Sequence, residues 1–190
     1  MTSLTPAQWQ EALDQAAVFL MKAVGGVEVG LDDPRQHSFG QGYVGRLASI
    51  EDNLQAILAL GQEHFSEVEE PRDNSALFAP NYADYIRRQK AGNLVNFMLF
   101  FNEVPVGYMM MEIGKSRIHG KLIAQEDIFF IAKEHRRGFL GFQFMRYAHS
   151  VLHDLGVHEV SAGFKTTKNL GMLYKRAGFT HAAEFYTKVL

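Results

Sequence analysis

Cysteine is missing from the sequence. Its absence excludes disulfide bonds, thiolate zinc sites and cysteine nucleophiles, so a covalent intermediate would need serine, threonine, lysine or a carboxylate. Long apolar runs are missing too, and without about 18 consecutive apolar residues neither a transmembrane helix nor a membrane partner is predicted. The first residues, MTSLTPAQWQEALDQ, lack the basic and apolar regions of a signal peptide, which predicts a cytoplasmic location.

An excess of positive charge is also lacking, because 19 basic residues stand against 21 acidic ones for a net charge of -2. A dedicated nucleic-acid binder usually carries a basic excess, so no nucleic-acid partner is indicated. His149 and His153 have the helical spacing of metal ligands, but no carboxylate lies between them as in H-E-x-x-H, and no metal site is predicted. With 190 residues, 47 % of them hydrophobic, the chain is long enough to bury a core.

The apolar pattern alternates between helical and strand periods along the chain. Thr5 and Gln8 have the spacing of a capping box at the start of a first helix, and the glycine-rich stretch over 27–45 is predicted to be irregular or a hairpin. Further helices are predicted over 50–66, 82–89, 138–155 and 166–177, and strands over 44–49, 94–101, 104–113, 121–131, 157–164 and 182–189. This order predicts a mixed α/β sheet flanked by helices, with the antiparallel part first and a parallel crossover later.

The most informative segment runs from a buried strand through a short basic turn into a helix. Ile128 to Ile131 form a continuous apolar run, as in a strand covered on both faces, and Arg136 and Arg137 follow in the turn. The first amides of a helix lack an intrahelical partner and the helix dipole adds positive potential, so this geometry predicts an anion site. An ordinary strand–helix turn with solvated arginines is the alternative. The turn contains neither G-K-S/T nor G-x-G-x-x-G, which excludes a P-loop and a dinucleotide fingerprint there.

The turn Arg136-Arg137-Gly138-Phe139-Leu140-Gly141 resembles the acetyl-CoA signature of the GNAT acyltransferases. The pattern of that family is Gln or Arg, two variable residues, Gly, one variable residue, and then Gly or Ala. Arg136 and Gly141 match its two ends. Phe139 stands at the middle glycine position, and Gly138 lies one position earlier.

A second stretch near the C-terminus, Leu173 to Phe179, is similar to the helix ending L-Y-x-K/R-x-G-F of the same family. The family's asparagine near the start of that helix is replaced by Thr167, and Asn169 lies two residues later. A final strand over 184–188 also fits the family. The resemblance covers about 44–190, so residues 1–43 are predicted to be an N-terminal helix and irregular extension. That extension either covers the acceptor site, packs on the sheet edge or builds a homodimer.

The resemblance implies the GNAT fold, with two central strands splayed apart, and direct transfer of an acetyl or other acyl group from acetyl-CoA to a primary amine. It places the pyrophosphate of CoA on the turn amides and the pantetheine arm along the strand edge at 129–131. An amide of that strand would stabilise the oxyanion. The cofactor-binding residues implied in this way are Phe129, Phe130, Ile131, Arg136, Arg137, Gly138, Phe139, Leu140, Gly141 and Asn169.

Two residues are predicted to be catalytic. Tyr174 matches the tyrosine that the resemblance implies as general acid toward the leaving thiolate, and a core tyrosine on an amphipathic helix is the alternative. Glu126 is the first candidate for the general base, with Asp127, Glu112 and His119 as the others. Strand alternation puts Glu126 and Asp127 on opposite faces, so at most one of them points at the gap.

The acceptor is predicted as a small-molecule, peptide or modified-base amine, without a narrower identity. Phe139 in the glycine turn motivates a second hypothesis, a catalytically weak or inactive CoA-binding protein of the same fold that regulates or binds a partner. A third hypothesis is an inhibitor or partner-binding protein that acts through the residues before Tyr43.

Overall fold

The computed structural model describes residues 35–68, 78–164 and 170–185, together with the single positions 5, 8, 11, 15 and 188. Its elements are, in chain order, β1 (Gln36–Gly40), β2 (Tyr43–Leu47), α1 (Leu54–Val68), α2 (Tyr82–Lys90), β3 (Leu94–Phe101), β4 (Val104–Lys115), β5 (Leu122–Ile131), a 3-10 turn (Lys133–His135), α3 (Leu140–Asp154), β6 (Glu159–Ser161) and α4 (Gly171–Arg176). No helix among these residues is long and apolar enough to span a bilayer.

The six described strands form one sheet, and their spatial order equals their order in the chain. Neighbours from β1 to β5 pair antiparallel, and β6 returns parallel to β5 after a crossover through α3. The turn between β3 and β4 holds Asn102 and Glu103 at positive φ, 47° and 65°, as a two-residue hairpin turn requires. The predicted mixed sheet, antiparallel first and parallel later, is confirmed.

The glycine-rich stretch over 27–45 contains the first hairpin. From residue 36 onward it forms β1, a tight turn and the start of β2, so the hairpin alternative holds for the described part. The spacing G-x-G-x-x-G occurs from Gly40 to Gly45, but strand β2 follows it instead of a helix. This stretch is therefore a hairpin turn and not a dinucleotide fingerprint.

The gap in the sheet opens between β5 and β6. These strands pair only from Ile123–Gln125 to Glu159–Ser161, while β5 continues to Ile131 with β4 as its one paired neighbour among the described strands. The predicted splay of two central strands lies here. A β-bulge interrupts the β4–β5 ladder, because Met110 pairs with Ile128 and Met111 with Glu126, which leaves Asp127 as the extra residue.

Helices cover both faces of the sheet, which explains why the central strands are apolar throughout. On one face, α3 and α4 pack on a cluster that includes Phe97, Met109 and Phe144. On the other face, α1 and α2 pack on a cluster that includes Met98 and Met110. The methionines at 109–111, which the sequence assigns to the core, are all buried.

Two C-terminal predictions need correction. Strand β6 covers 159–161 and not 157–164, and residues 182–185 and 188 form no strand, so the prediction of a final strand is wrong at these positions. The physical reason is the length of β6. A final strand would need the edge of β6 to pair with, and the three residues of β6 provide only a short edge. Helix α4 begins at Gly171, and the predicted helical residues 166–169 lie outside the described stretches.

The predicted N-terminal helix falls mostly outside the described residues. At its start, the amide of Gln8 donates to Oγ1 of Thr5 at 3.4 Å, and the amide of Thr5 donates to Oε1 of Gln8 at 2.8 Å. These two bonds form the predicted capping box.

Candidate active site

Tyr174 and Glu126 meet where β5 loses its pairing with β6. The Tyr174 hydroxyl donates to Oε1 of Glu126 at 2.5 Å and lies 3.1 Å from the backbone carbonyl of Gly163. Glu126 is the first residue of β5 beyond the last pair with β6, which puts it at the mouth of the gap. The candidate acid and the candidate base are therefore in contact, although 48 positions separate them in the chain.

Burial tunes the protonation of both groups. It raises the pKa of the Glu126 carboxyl to about 7, against the opposing effect of the hydrogen bond from Tyr174. It also raises the pKa of the Tyr174 phenol, and the negative charge of Glu126 raises that pKa further. Near neutral pH the carboxyl can therefore gain or lose a proton while the phenol keeps its own. These are the protonation states that a general base and a general acid need.

A helix cap fixes the position of Tyr174. Gly178 has φ +90°; its amide donates to the carbonyl of Lys175 at 3.1 Å, and the amide of Phe179 donates to the carbonyl of Tyr174 at 3.0 Å. This pair of bonds is the Schellman motif, in which positive φ favours glycine. Phe179 meets the Tyr174 ring edge-on at 5.3 Å, and Phe164 stacks on it at 5.9 Å. The Gly-Phe pair that follows the tyrosine in the sequence thus ends the helix and holds the ring.

Glu126→Gln is expected to stabilise the protein in a pH-dependent way. The folded-state pKa of about 7 lies above the usual 4.5, so the cost of ionising the folded protein grows from pH 4.5 to about pH 7 and then stays constant. Glutamine keeps an oxygen acceptor for Tyr174 without the charge. We expect a Tm rise of about 5 °C at pH 8 and little change at pH 4.

Thermal unfolding of the wild type and the variant at both pH values measures this effect. Glu134→Gln is the matched control, because it removes an exposed carboxylate from the 3-10 turn. A Tm rise at pH 4 as large as that at pH 8 would contradict an ionisation cost at Glu126.

The basic turn between β5 and α3 presents free amides. The amides of Gly138, Phe139, Gly141 and Phe142 make no hydrogen bond to any described residue. Gly141 lies over the end of β5, where an added Cβ would be 3.7 Å from side-chain atoms of both Phe129 and Ile131. Helix α3 therefore begins directly above the open part of β5, with donors available for an anion.

The two arginines of this turn differ in their partners. Arg136 donates through Nε to the carbonyl of Ile131 at 2.6 Å and through both terminal nitrogens to Glu67 of α1, at 2.5 and 2.6 Å. Arg137 donates to the hydroxyl of Tyr43 at 2.6 Å and has no carboxylate partner within the described part of the chain. Arg136 is thus neutralised by Glu67, whereas Arg137 keeps its positive charge uncompensated.

Phe139 does not need to be glycine for this turn to form. Its φ is -106°, an ordinary value for an L-residue, while Gly138 has the positive φ of 54°. The ring of Phe139 is 65 % exposed, and the next residue, Leu140, is buried and anchors the helix start in the core. Gly138, the residue before Phe139, therefore adopts the left-handed conformation of this turn.

The remaining candidate bases lie elsewhere. Asp127 faces α2 and accepts a hydrogen bond from the Tyr85 hydroxyl at 2.7 Å, which agrees with the predicted alternation along β5. Glu112 pairs with Arg88 of α2 at 2.9 Å. His119 lies in the exposed turn between β4 and β5. None of the three contacts the Tyr174 hydroxyl in the described structure.

Sequence reasoning missed three groups at this site: Glu67 beside Arg136, Tyr43 beside Arg137 and the Gly163 carbonyl beside Tyr174. Each joins elements that are distant in the chain, and no local pattern marks them. Asn169 was predicted to bind the cofactor and lies outside the described residues.

Comparison with solved structures finds the same fold in acetyltransferases. An aminoglycoside acetyltransferase from an uncultured soil metagenomic sample, in complex with trehalose, is 12 % identical with TM-score 0.64, over 80 % of this chain and 100 % of its own. A GCN5-related N-acetyltransferase from Ralstonia eutropha JMP134 is 16 % identical with TM-score 0.64, over 78 % and 99 %. A ribosomal-protein-alanine N-acetyltransferase from Brucella melitensis biovar Abortus 2308 is 13 % identical with TM-score 0.58, over 78 % and 98 %.

No protein-family model and no curated protein matches the sequence. At identities this low, the structural likeness establishes the fold alone. The chemistry must be argued from the residues of the site.

Proposed function

We propose that this chain, which has the fold of the GCN5-related N-acetyltransferases, transfers an acetyl group from acetyl-CoA directly to a primary amine. The observation that carries the proposal is the bond between Tyr174 and Glu126 at the mouth of the strand gap. A partly buried carboxyl with a pKa near neutrality, next to a protonated phenol, is a pairing typical of acid–base catalysis. A merely structural tyrosine would not require it.

The basic turn fits the pyrophosphate of CoA as a substrate. Four amides without a described partner can donate hydrogen bonds to the two phosphates, and the uncompensated charge of Arg137 can offset part of their negative charge. Glu67 already neutralises Arg136, so we assign that residue to holding the turn against α1 instead of binding phosphate. The open edge of β5 at 129–131 is where the pantetheine arm would lie, because β6 does not pair there.

The proposed reaction needs no covalent enzyme intermediate. The neutral amine attacks the thioester carbonyl, so that a C–N bond forms and the C–S bond breaks. An ammonium substrate first loses one proton to solvent, which gives the neutral amine. In our assignment Glu126 accepts the second proton, which the nitrogen loses after its attack, and Tyr174 donates its own proton to the departing sulfur. Glu126 then reprotonates Tyr174 across their hydrogen bond, so that the net product is a thiol.

Binding of acetyl-CoA by isothermal calorimetry, with mass spectrometry for co-purified CoA, tests the donor site. We expect micromolar affinity. Turnover can then be followed with a thiol reagent across a panel of amines, and the protein adds no background because it has no cysteine. Binding without thiol release from any amine favours the non-catalytic alternative, a regulatory or partner-binding protein with this fold. Absence of binding contradicts the proposal.

Four finer assignments remain proposals of the same kind. A cytoplasmic location is the first of them. The acceptor is a small-molecule, peptide or modified-base amine, and an aminoglycoside acetyltransferase structure solved with sisomicin supports the first of these. The division into an extension over 1–43 and a catalytic domain over 44–190, and a homodimer built through that extension, rest on the sequence.

A further inference from the structure

The side of β5 opposite the Glu126–Tyr174 pair carries a second group of polar residues. We call it the tyrosine face, and it consists of Tyr82, Tyr85, Tyr108 and Asp127. Asp127 is the extra residue of the β-bulge and accepts a hydrogen bond from the Tyr85 hydroxyl at 2.7 Å. The rings of Tyr82 and Tyr85 lie 6.0 Å apart along α2. Because Asp127 directly follows Glu126, this face adjoins the strand gap.

Asp127 is a carboxylate without a cation. Among the described residues, no lysine, arginine or histidine lies within ion-pair distance of it. The nearby carboxylates differ in this respect: Asp84 pairs with Arg87 and Arg88, and Glu112 pairs with Arg88. One exposed negative charge therefore stays uncompensated next to the gap, and a positive ligand is the partner that it favours.

Tyr108 supplies an independent sign of a ligand. It is only 1 % exposed, yet its hydroxyl makes no hydrogen bond to any described residue. Burial raises the pKa of this phenol, and the neighbouring phenols and the Asp127 charge raise it further, so its hydroxyl lies within their field. The hydroxyl oxygen is not among the fully enclosed unpartnered atoms of the described residues, which are Nε of Arg87 and Oδ1 of Asn96, so a small opening leads to it. An unpartnered hydroxyl among aromatic rings, beside a carboxylate that lacks a cation, is a group that a bound molecule can satisfy.

Rings and carboxylate together match an ammonium group. The faces of tyrosine rings attract cations, the Asp127 oxygens accept charged N–H donors, and the Tyr108 oxygen offers one more acceptor. We propose that the tyrosine face binds a second ammonium of the acceptor, which makes that acceptor a diamine or a longer cationic amine. The inference rests on the proposed function, since it assumes that the first amine reacts beside Glu126. The pairing of β5 with β6 ends at Gln125, so Glu126 on one face and Asp127 on the other directly follow the last paired residue.

A matched pair of substrates tests this inference: 1,5-diaminopentane and 1-aminopentane, which differ only by the second amine. The full chain is expected to bind the diamine by calorimetry in the presence of CoA and to use it about tenfold more efficiently than the monoamine. Asp127→Asn keeps an oxygen for Tyr85 but removes the charge. It should raise KM for the diamine about tenfold, leave kcat nearly unchanged, and leave the monoamine unaffected.

Asp154→Asn at the end of α3 is the charge-matched control, because it removes an exposed carboxylate far along the chain from this face. It should leave both substrates unaffected. The inference would be overturned if the wild type used the two amines equally or did not bind the diamine. In either case, thiol release from any amine would still support the proposed function. Diamine binding that Asp127→Asn weakens, without thiol release from any amine, would support the tyrosine face and contradict the proposed function.

Discussion

Replacing Tyr174 with phenylalanine is expected to lower the turnover number about a hundredfold and to leave the affinity for acetyl-CoA within about twofold of the wild type. The ring stays packed between Phe164 and Phe179, so the change removes one hydroxyl and little else. In the proposed mechanism, the departing sulfur then has no proton donor. The loss should appear in kcat, measured by thiol release at saturating acetyl-CoA.

The same variant carries a second readout. The hydrogen bond from Tyr174 lowers the pKa of Glu126, so its removal should move the acid limb of the kcat profile to higher pH than the wild-type value of about 7. Tyr147→Phe is the matched control, because Tyr147 is another core tyrosine whose hydroxyl donates to a backbone carbonyl, that of Arg35, at 2.7 Å. If both variants lose activity equally, packing explains the effect and Tyr174 is not the acid.

Gly141→Glu is expected to abolish acetyl-CoA binding, with Kd raised at least about a hundredfold. The new carboxylate would lie among the free amides of the turn, where it competes for their hydrogen bonds and repels the pyrophosphate. The fold should survive, since an acidic residue in the first turn of a helix is favourable. Calorimetry measures the affinity, and thermal unfolding shows whether the variant is folded.

Gly141→Ala provides the control for this position. An added Cβ would meet Ile131 and Phe129 at 3.7 Å, an ordinary contact distance, so alanine fits without displacement. We expect it to bind acetyl-CoA nearly as well as the wild type. A glutamate variant that is folded and binds normally would show that the phosphates lie elsewhere.

Much of the fold could be predicted because the decisive signals are local. The apolar run over 94–101 and the turn residues Asn102 and Glu103 predict the β3–β4 hairpin almost to the residue, since a strand covered on both faces needs continuous apolar side chains. Tyr174 was predicted from the resemblance of Leu173 to Phe179 to the family's helix ending. That motif is a pattern over a few neighbouring residues, and in the structure its Gly-Phe part forms the helix cap.

What the sequence did not reveal depends on tertiary contacts. Both turn arginines look alike in the sequence, yet Glu67 neutralises one of them from α1 and leaves the other charged. The bulge at Asp127 is equally invisible, because it arises from the register of β4 against β5. The prediction of a final strand was wrong at residues 182–185 and 188, because the strand pattern over 182–189 does not indicate how long an edge β6 provides for pairing.

The identity of spatial and chain order in the sheet has a consequence for biosynthesis. Each strand pairs with the one made just before it, so a nascent chain can extend its sheet step by step from β1 to β5 as it leaves the ribosome. Tyr174 emerges 48 residues after Glu126. Under the proposed function, a truncated product that ends before α4 would keep the turn that we assign to the donor but would lack the proton donor that we assign to the sulfur.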